Sequence, residues 1–171
     1  MIVSAWIPWA ILAAIAAQRI SELVLARRNT TALLARGATE AGAGHYPFIV
    51  AVHTLWLAAL VVWVARTPSP IVAPWLAAYV ALQLLRAWVL MSLGPYWTTR
   101  VITLADAPLV RRGPYRFVRH PNYVVVIAEI AVLPLVFGAW PIALVFSILN
   151  AVVLAVRLRV ENAVLNRRPT H

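Results

Sequence analysis

The residues best equipped for chemistry lie between Arg111 and Tyr123, in the stretch RRGPYRFVRHPNY. Arg111, Arg112, Arg116 and Arg119 supply guanidinium groups, Tyr115 and Tyr123 supply aromatic faces, and His120 supplies an imidazole directly before a proline. Tyr96, Trp97 and Arg100 stand just upstream. Together they offer what an anionic or nucleotide-like cofactor needs: fixed cations, hydrogen-bond donors and planar rings. Pro121 restricts His120 to an extended conformation and suits the first turn of a helix, whose early N–H groups form a ready anion site. The plainer reading of Arg111, Arg112 and Arg116 is topological, as charges that hold a loop near lipid headgroups. A second pair, Arg157 and Glu161, is spaced i,i+4 near the end of the chain and shares one helix face, as an ion pair or as part of a site.

The elements that must position these groups belong to a membrane. Of 171 residues, 63% are hydrophobic and only 12% charged, which is too apolar for a soluble domain with a polar shell. The pattern predicts an all-α integral membrane protein, a single domain with five helices: Ile2 to Leu25, Pro47 to Ala65, Pro74 to Leu93, Tyr123 to Phe137 and Trp140 to Arg157. The first run is rich in Trp and Pro and lacks a basic start, so it reads as a retained helix rather than a signal peptide. The fourth is short for a crossing and, with Gly138 to Pro141 as its turn, forms a hairpin with the fifth.

The net charge is +10, carried wholly by arginine. Its distribution follows the positive-inside rule, which removes nucleic acid as the explanation. Arginines crowd the first and third loops and the tail, placing these in the cytoplasm of a multi-pass cell-membrane protein with its N-terminus outside. There is no cysteine, hence no disulfide and no thiol nucleophile. No histidine spacing suits a metal, and the absence of GxxxG-type signals predicts a monomer.

Several polar groups fall inside the apolar runs: Gln18, Arg19, Glu22, His53, Gln83, Arg86, Glu129 and Asn150. Each must face a partner or a wet cavity. Arg86 with Glu22 or Glu129 is the natural pairing. Arg86 and Glu129 are read either as glue between helices or as polar groups facing a substrate.

GPYRFVRHPNY, followed one hairpin later by RLRVENAVL, resembles the isoprenylcysteine carboxyl methyltransferase family of membrane enzymes. Gly113, Pro114, Tyr115, Arg119, His120, Pro121 and Tyr123 match its first element, and Arg157 and Glu161 match its second; the resemblance covers Gly94 to Leu165. Val124 and Val125 stand where a glycine usually follows the motif tyrosine, Asn162 replaces the second acid of a Glu-Glu pair, and the sequence ends soon after Leu165. The stretch QRISELVLARRN with RGATEAGAGHYPFIVAVHTLWL is similar to bacterial members found beside type III polyketide synthases.

The resemblance implies S-adenosylmethionine as methyl donor and O-methylation of a lipophilic small molecule from the membrane, a carboxylate or acidic enol such as an alkylpyrone. It implies a donor site of Tyr115, His120, Pro121, Tyr123, Glu161 and Asn162, with Arg119 and Arg157 positioning the acceptor oxyanion. Alternatives are prenylcysteine carboxyl methylation, phospholipid N-methylation, a nicotinamide-dependent membrane reductase sharing RHPNY, and a non-enzymatic scaffold.

Overall fold

The computed structural model describes residues 6–104 and 110–165, and the side chains of residues 162, 164 and 165 are outside this set. Five α-helices make the architecture: α1 (Ile7–Ala35), α2 (Tyr46–Arg66), α3 (Ala73–Leu93), α4 (Pro121–Val136) and α5 (Trp140–Leu165). Four are long and apolar enough to cross a membrane, and α4 is a shorter apolar helix. At about 1.5 Å per residue α4 reaches roughly 24 Å, short of the ~30 Å hydrocarbon layer. It is the most enclosed helix nonetheless, lying between α3 and α5, while α2 closes against α5. Prolines occupy the first turns of α1 to α4, where a missing N–H costs nothing.

The apolar core gathers where α4 turns into α5. Leu12 and Ile15 of α1, Trp56 and Leu60 of α2 and Tyr79 of α3 surround Ile130, Leu133, Val136 and Phe137. Gly138, at φ 67°, lets the chain reverse in the expected tight hairpin. The turn is tied down by Val72 N–H donating to Val136 O (2.9 Å) and the Trp63 indole donating to Phe137 O (3.2 Å). Large apolar side chains such as Phe48, Leu84, Met91 and Trp140 point outward, as a lipid-facing surface requires.

Three features differ from the sequence expectation. First, α1 ends at Ala35 rather than Leu25. Nothing in residues 26–35 breaks a helix, Ala26 and Leu33 are buried, and Gly37 at φ 86° provides the stop. Second, α5 continues past Arg157 to Leu165, so Arg157 and Glu161 stay on one unbroken helix. Third, the loops after α1 and α3 are not irregular throughout. Their segments β1 (Thr39–Ala41) and β2 (Val101–Thr103) pair antiparallel, with Glu40 opposite Ile102. Strands this short carry no readable periodicity.

The polar groups inside the apolar helices find one another. Arg86 holds both oxygens of Glu22, through Nε at 2.6 Å and Nη2 at 2.5 Å, and its Nη1 reaches Glu129 Oε2 at 2.9 Å. Arg19 donates to the same Glu129 oxygen (2.8 Å) and to Glu22 (3.2 Å). Gln18 bridges Glu22 (3.0 Å) and Gln83 (2.8 Å), and Gln83 passes the chain on to Glu129 (2.8 Å). Two arginines and two glutamates thus cancel, linking α1, α3 and α4 across the apolar interior. His53 is spent on its own helix, with Nδ1 2.8 Å from Ile49 O.

Removing one partner of a buried ion pair leaves the other charge stranded, at about 3–5 kcal/mol. Glu129→Ala leaves Arg19 and Arg86 to share Glu22 alone, with one buried positive charge uncompensated, and is expected to destabilise the detergent-solubilised protein by about that amount, with Glu129→Gln intermediate. Thermal unfolding checks this; an unchanged midpoint for the alanine variant rejects the network as a stabilising element.

Candidate active site

The loop that follows β2 is seated on the end of α3. Gly113, at φ 58°, begins a short 3-10 turn, Gly113–Arg116, and an added Cβ there lies 2.0 Å from Ser92 Oγ and 3.1 Å from the Trp88 indole nitrogen. Only glycine combines that backbone angle with that approach. Arg112, read above as a topological charge, also donates from Nε to Ser92 O at 2.8 Å. At the other side of the turn, Asn29 of α1 donates to Gly94 O (3.2 Å) and Trp97 O (2.8 Å). The motif loop is therefore seated on the end of α3, and α1 holds the chain where it leaves that same end.

Pro121 opens α4 with His120 as its cap residue. Tyr123 N–H (3.1 Å) and Val124 N–H (3.5 Å) both turn back to His120 O. Since proline has no N–H, the expected anion site at this helix entrance reduces to the N–H of Asn122. The side chains carry the polarity instead. Tyr123 donates its hydroxyl proton to Glu161 Oε2, and Arg157 Nε donates to the same hydroxyl oxygen at 2.8 Å. Glu161 Oε1 lies 3.3 Å from His120 Nδ1, and the His120 and Tyr123 rings stack with centroids 5.4 Å apart. The Arg157 guanidinium lies 5.4 Å from the Tyr123 ring centroid and spends Nη1 on Thr99 O at 2.7 Å.

The structure thus brings together four of the sequence-selected residues, His120, Tyr123, Arg157 and Glu161, from the two ends of the α4–α5 hairpin. Arg157 and Glu161 are bridged by a phenol rather than paired directly. Pro121 is buried beneath them and starts the helix. Tyr115 is half-buried in the 3-10 turn; burial pushes its phenol up, and the nearby Glu161 carboxylate adds to this, so it stays protonated. Arg119 is exposed on the loop. The Asn162 side chain lies outside the described residues. Val125, in place of the usual glycine, is fully buried within α4.

Arg86 and Glu129 stand apart in the buried network, where both are bound to opposite charges. Arg86, Glu22, Gln18 and Gln83 form the polar floor of an open cleft of about 520 Å³ between α1 and α3, walled by Leu25 and Leu90. Sequence reasoning gave no sign of two contributions at the α4–α5 site, from Asn122 and Thr99, or that the Trp97 indole upstream lacks a partner. Asn122 Oδ1 and the Trp97 indole N–H are buried without a hydrogen-bond partner among the described residues. The RHPNY spelling contains Asn122 but gives no sign that its oxygen is orphaned. Thr99 acts through its backbone carbonyl, which no side-chain pattern reveals.

Gly113→Ala is expected to lower stability by about 1–3 kcal/mol through overpacking, with further strain from the positive φ. Ser92→Gly in the same chain removes the nearest clash and should restore part of the loss. Thermal unfolding of the single and double variants tests this; a G113A protein as stable as the parent shows that the loop is not seated on α3.

The chain is similar to known proteins along most of its length. The model of the isoprenylcysteine carboxyl methyltransferase (ICMT) family matches residues 75–167, which includes α4, α5 and all four clustered residues. The uncharacterized protein YpbQ of Bacillus subtilis (strain 168) is 39% identical over 160 residues, 92% of this chain and 95% of that protein. An uncharacterized protein of Haemophilus influenzae is 27% identical over 161 residues, 90% of this chain and 92% of that one. No solved structure matches. With the family model spanning more than half the chain, and its two signature elements joined through the Tyr123 hydroxyl, the protein belongs to the isoprenylcysteine carboxyl methyltransferase family of membrane methyltransferases.

Proposed function

We propose that the protein transfers a methyl group from S-adenosylmethionine to an oxyanion on a lipophilic small molecule, a carboxylate or an acidic enol such as that of an alkylpyrone. The observation that carries this reading is the Glu161–Tyr123–Arg157 bridge with His120 on the same carboxylate. It places an anion, a cation, an aromatic pair and a neutral phenol around one point, at the end of the bundle that bears the arginine-rich loops.

The side chains present fit such a donor. S-adenosylmethionine carries a sulfonium cation, an amine, hydroxyls, a carboxylate and a planar base. Glu161 and the orphaned Asn122 Oδ1 are acceptors for its amine and hydroxyls, and the Trp97 N–H is a buried donor in want of an acceptor. Tyr115, His120 and Tyr123 offer ring faces, and Pro121 shapes the floor beside them. When bound, the donor supplies a methyl carbon already activated by positive sulfur.

What remains for the protein is alignment and exclusion of water. Arg157 is fixed through Nε and Nη1, which orients its plane, and its Nη2 donates to no described residue. That edge is suited to hold an acceptor oxyanion, with Arg119 as a second cation on the loop. An acceptor that is already an anion needs no base. The protonated Tyr115 therefore takes no proton and offers its hydroxyl for hydrogen bonding only. The greasy part of the acceptor enters sideways from lipid; the cleft between α1 and α3 is a lateral opening of suitable character, and Arg86, backed by Glu129, forms its polar floor. We assign the arginine-rich end to the cytoplasm, where the donor is available, and the N-terminus to the outside of the cell membrane, with the protein acting as a monomer.

Titration of the detergent-solubilised protein with S-adenosylhomocysteine tests the donor. Wild type is expected to bind, and His120→Ala and Glu161→Gln should each bind about a hundredfold more weakly, as expected for loss of a charge-assisted contact, while unfolding normally. Unchanged affinity in both variants sinks the assignment, and a preference for a nicotinamide nucleotide favours reduction instead. Comparing lipid extracts of cells with and without the gene should then reveal an acceptor differing by one methyl group.

A further inference from the structure

The family match begins at residue 75, yet Arg157 is also held from a part of the chain well before that. Its Nη1 donates to Thr99 O at 2.7 Å. Thr99 lies in a bend between α3 and β2, where no helix fixes its carbonyl. What fixes it is the side chain on the same residue: Thr99 Oγ1 is 3.1 Å from the hydroxyl of Tyr46, the first residue of α2. The Tyr46 ring is in turn covered by the Arg100 guanidinium, 4.8 Å from its centroid, and Arg100 is paired with Glu40 of β1 at 2.9 Å. Gly42, at φ 63°, brings this α1–α2 connection against α5 itself, since an added Cβ there lies 2.6 Å from Val160 Cγ1. The connection therefore grips α5 beside both Arg157 and Glu161.

A long arginine side chain held at one nitrogen still swivels; bonds from Nε and Nη1 to two different elements fix its plane. One of these, the bond to Tyr123, comes from within the family-matched region. The other depends on Tyr46. We infer that Tyr46 is a positioning residue for the active site: through Thr99 it sets the plane of Arg157, and with it the Tyr123–Glu161 bridge. The consequence for function rests on the proposed methyl-transfer site, whereas the hold on Arg157 stands on geometry alone.

Arginine Nε–H exchange, followed by NMR on the full-length 15N-arginine-labelled protein in micelles, separates the two. The Arg157 signal is assigned from its loss in Arg157→Lys. Tyr46→Phe removes only the hydroxyl and keeps the ring under Arg100. It is expected to speed Arg157 Nε–H exchange about three- to tenfold, the worth of one ordinary hydrogen bond, and Thr99→Val should do the same. The Arg86 Nε–H, bound to Glu22 in the buried network, serves as the internal reference and should not change. Arg157 exchange that does not respond, or Arg86 exchange that rises in parallel, overturns the inference, because the second result means general loosening. S-adenosylhomocysteine affinity should fall about three- to tenfold in Tyr46→Phe; undiminished affinity with faster Arg157 exchange overturns the role in the site. If wild type binds no S-adenosylhomocysteine, the methyl-transfer reading fails by itself, and the exchange rates still decide whether Tyr46 holds Arg157.

Discussion

Hydrocarbon offers no solvent for a charge, so an ionised side chain within the apolar layer survives only where the protein supplies its partners. Glu129 is the extreme case, with 1% of its surface exposed in the most enclosed helix. Its two oxygens receive Arg19, Arg86 and Gln83, from α1 and α3. Because each of these groups is itself paired, α1, α3 and α4 share one axial register. Sliding any of them by a turn, about 5.4 Å, would separate the charges in a medium that cannot screen them.

That register reaches the far end of the bundle. With Glu22 set level with Arg86, Asn29 arrives two turns later at the end of α3, where its amide meets the carbonyls of Gly94 and Trp97. The same end of α3 receives Gly113 and Arg112. The loop entering α4 is thus held by elements already fixed by the buried charges, and Tyr123, one turn into α4, inherits that placement. The α4–α5 hairpin then brings Arg157 and Glu161 back to meet it. A tight reversal at Gly138 leaves little freedom in how far α5 returns.

The polar groups fall into two sets with different chemistry. In the middle, charges are saturated by one another and form a floor to a side cleft. At the arginine-rich end, the phenol of Tyr123 joins a carboxylate to a guanidinium, while Asn122, Trp97 and the outer edge of Arg157 keep capacity for hydrogen bonds. The first set suits holding helices together beside lipid; the second suits holding something that arrives from water. The similarity to the Bacillus protein covers 92% of the chain and so extends beyond the region that the family model matches.

Much of this was legible from residues alone. Apolar runs of membrane length, the prolines that open them and the arginines between them were enough for five helices, because hydrophobic span and first-turn proline are local properties. The expectation that Arg86 would meet Glu22 or Glu129 followed from the cost of a lone buried charge, and it meets both. RHPNY and the Arg157–Glu161 spacing singled out residues that the fold brings together. Only the tertiary structure decided that a tyrosine hydroxyl stands between Arg157 and Glu161, that Asn122 Oδ1 finds no hydrogen-bond partner among the described residues, and that α1 runs on to Ala35, where Asn29 holds the chain leaving α3. It also decided that Tyr46 reaches the site through a backbone carbonyl. Such facts depend on which distant elements come into contact, and a sequence pattern records the period of one element, not its neighbours across the bundle.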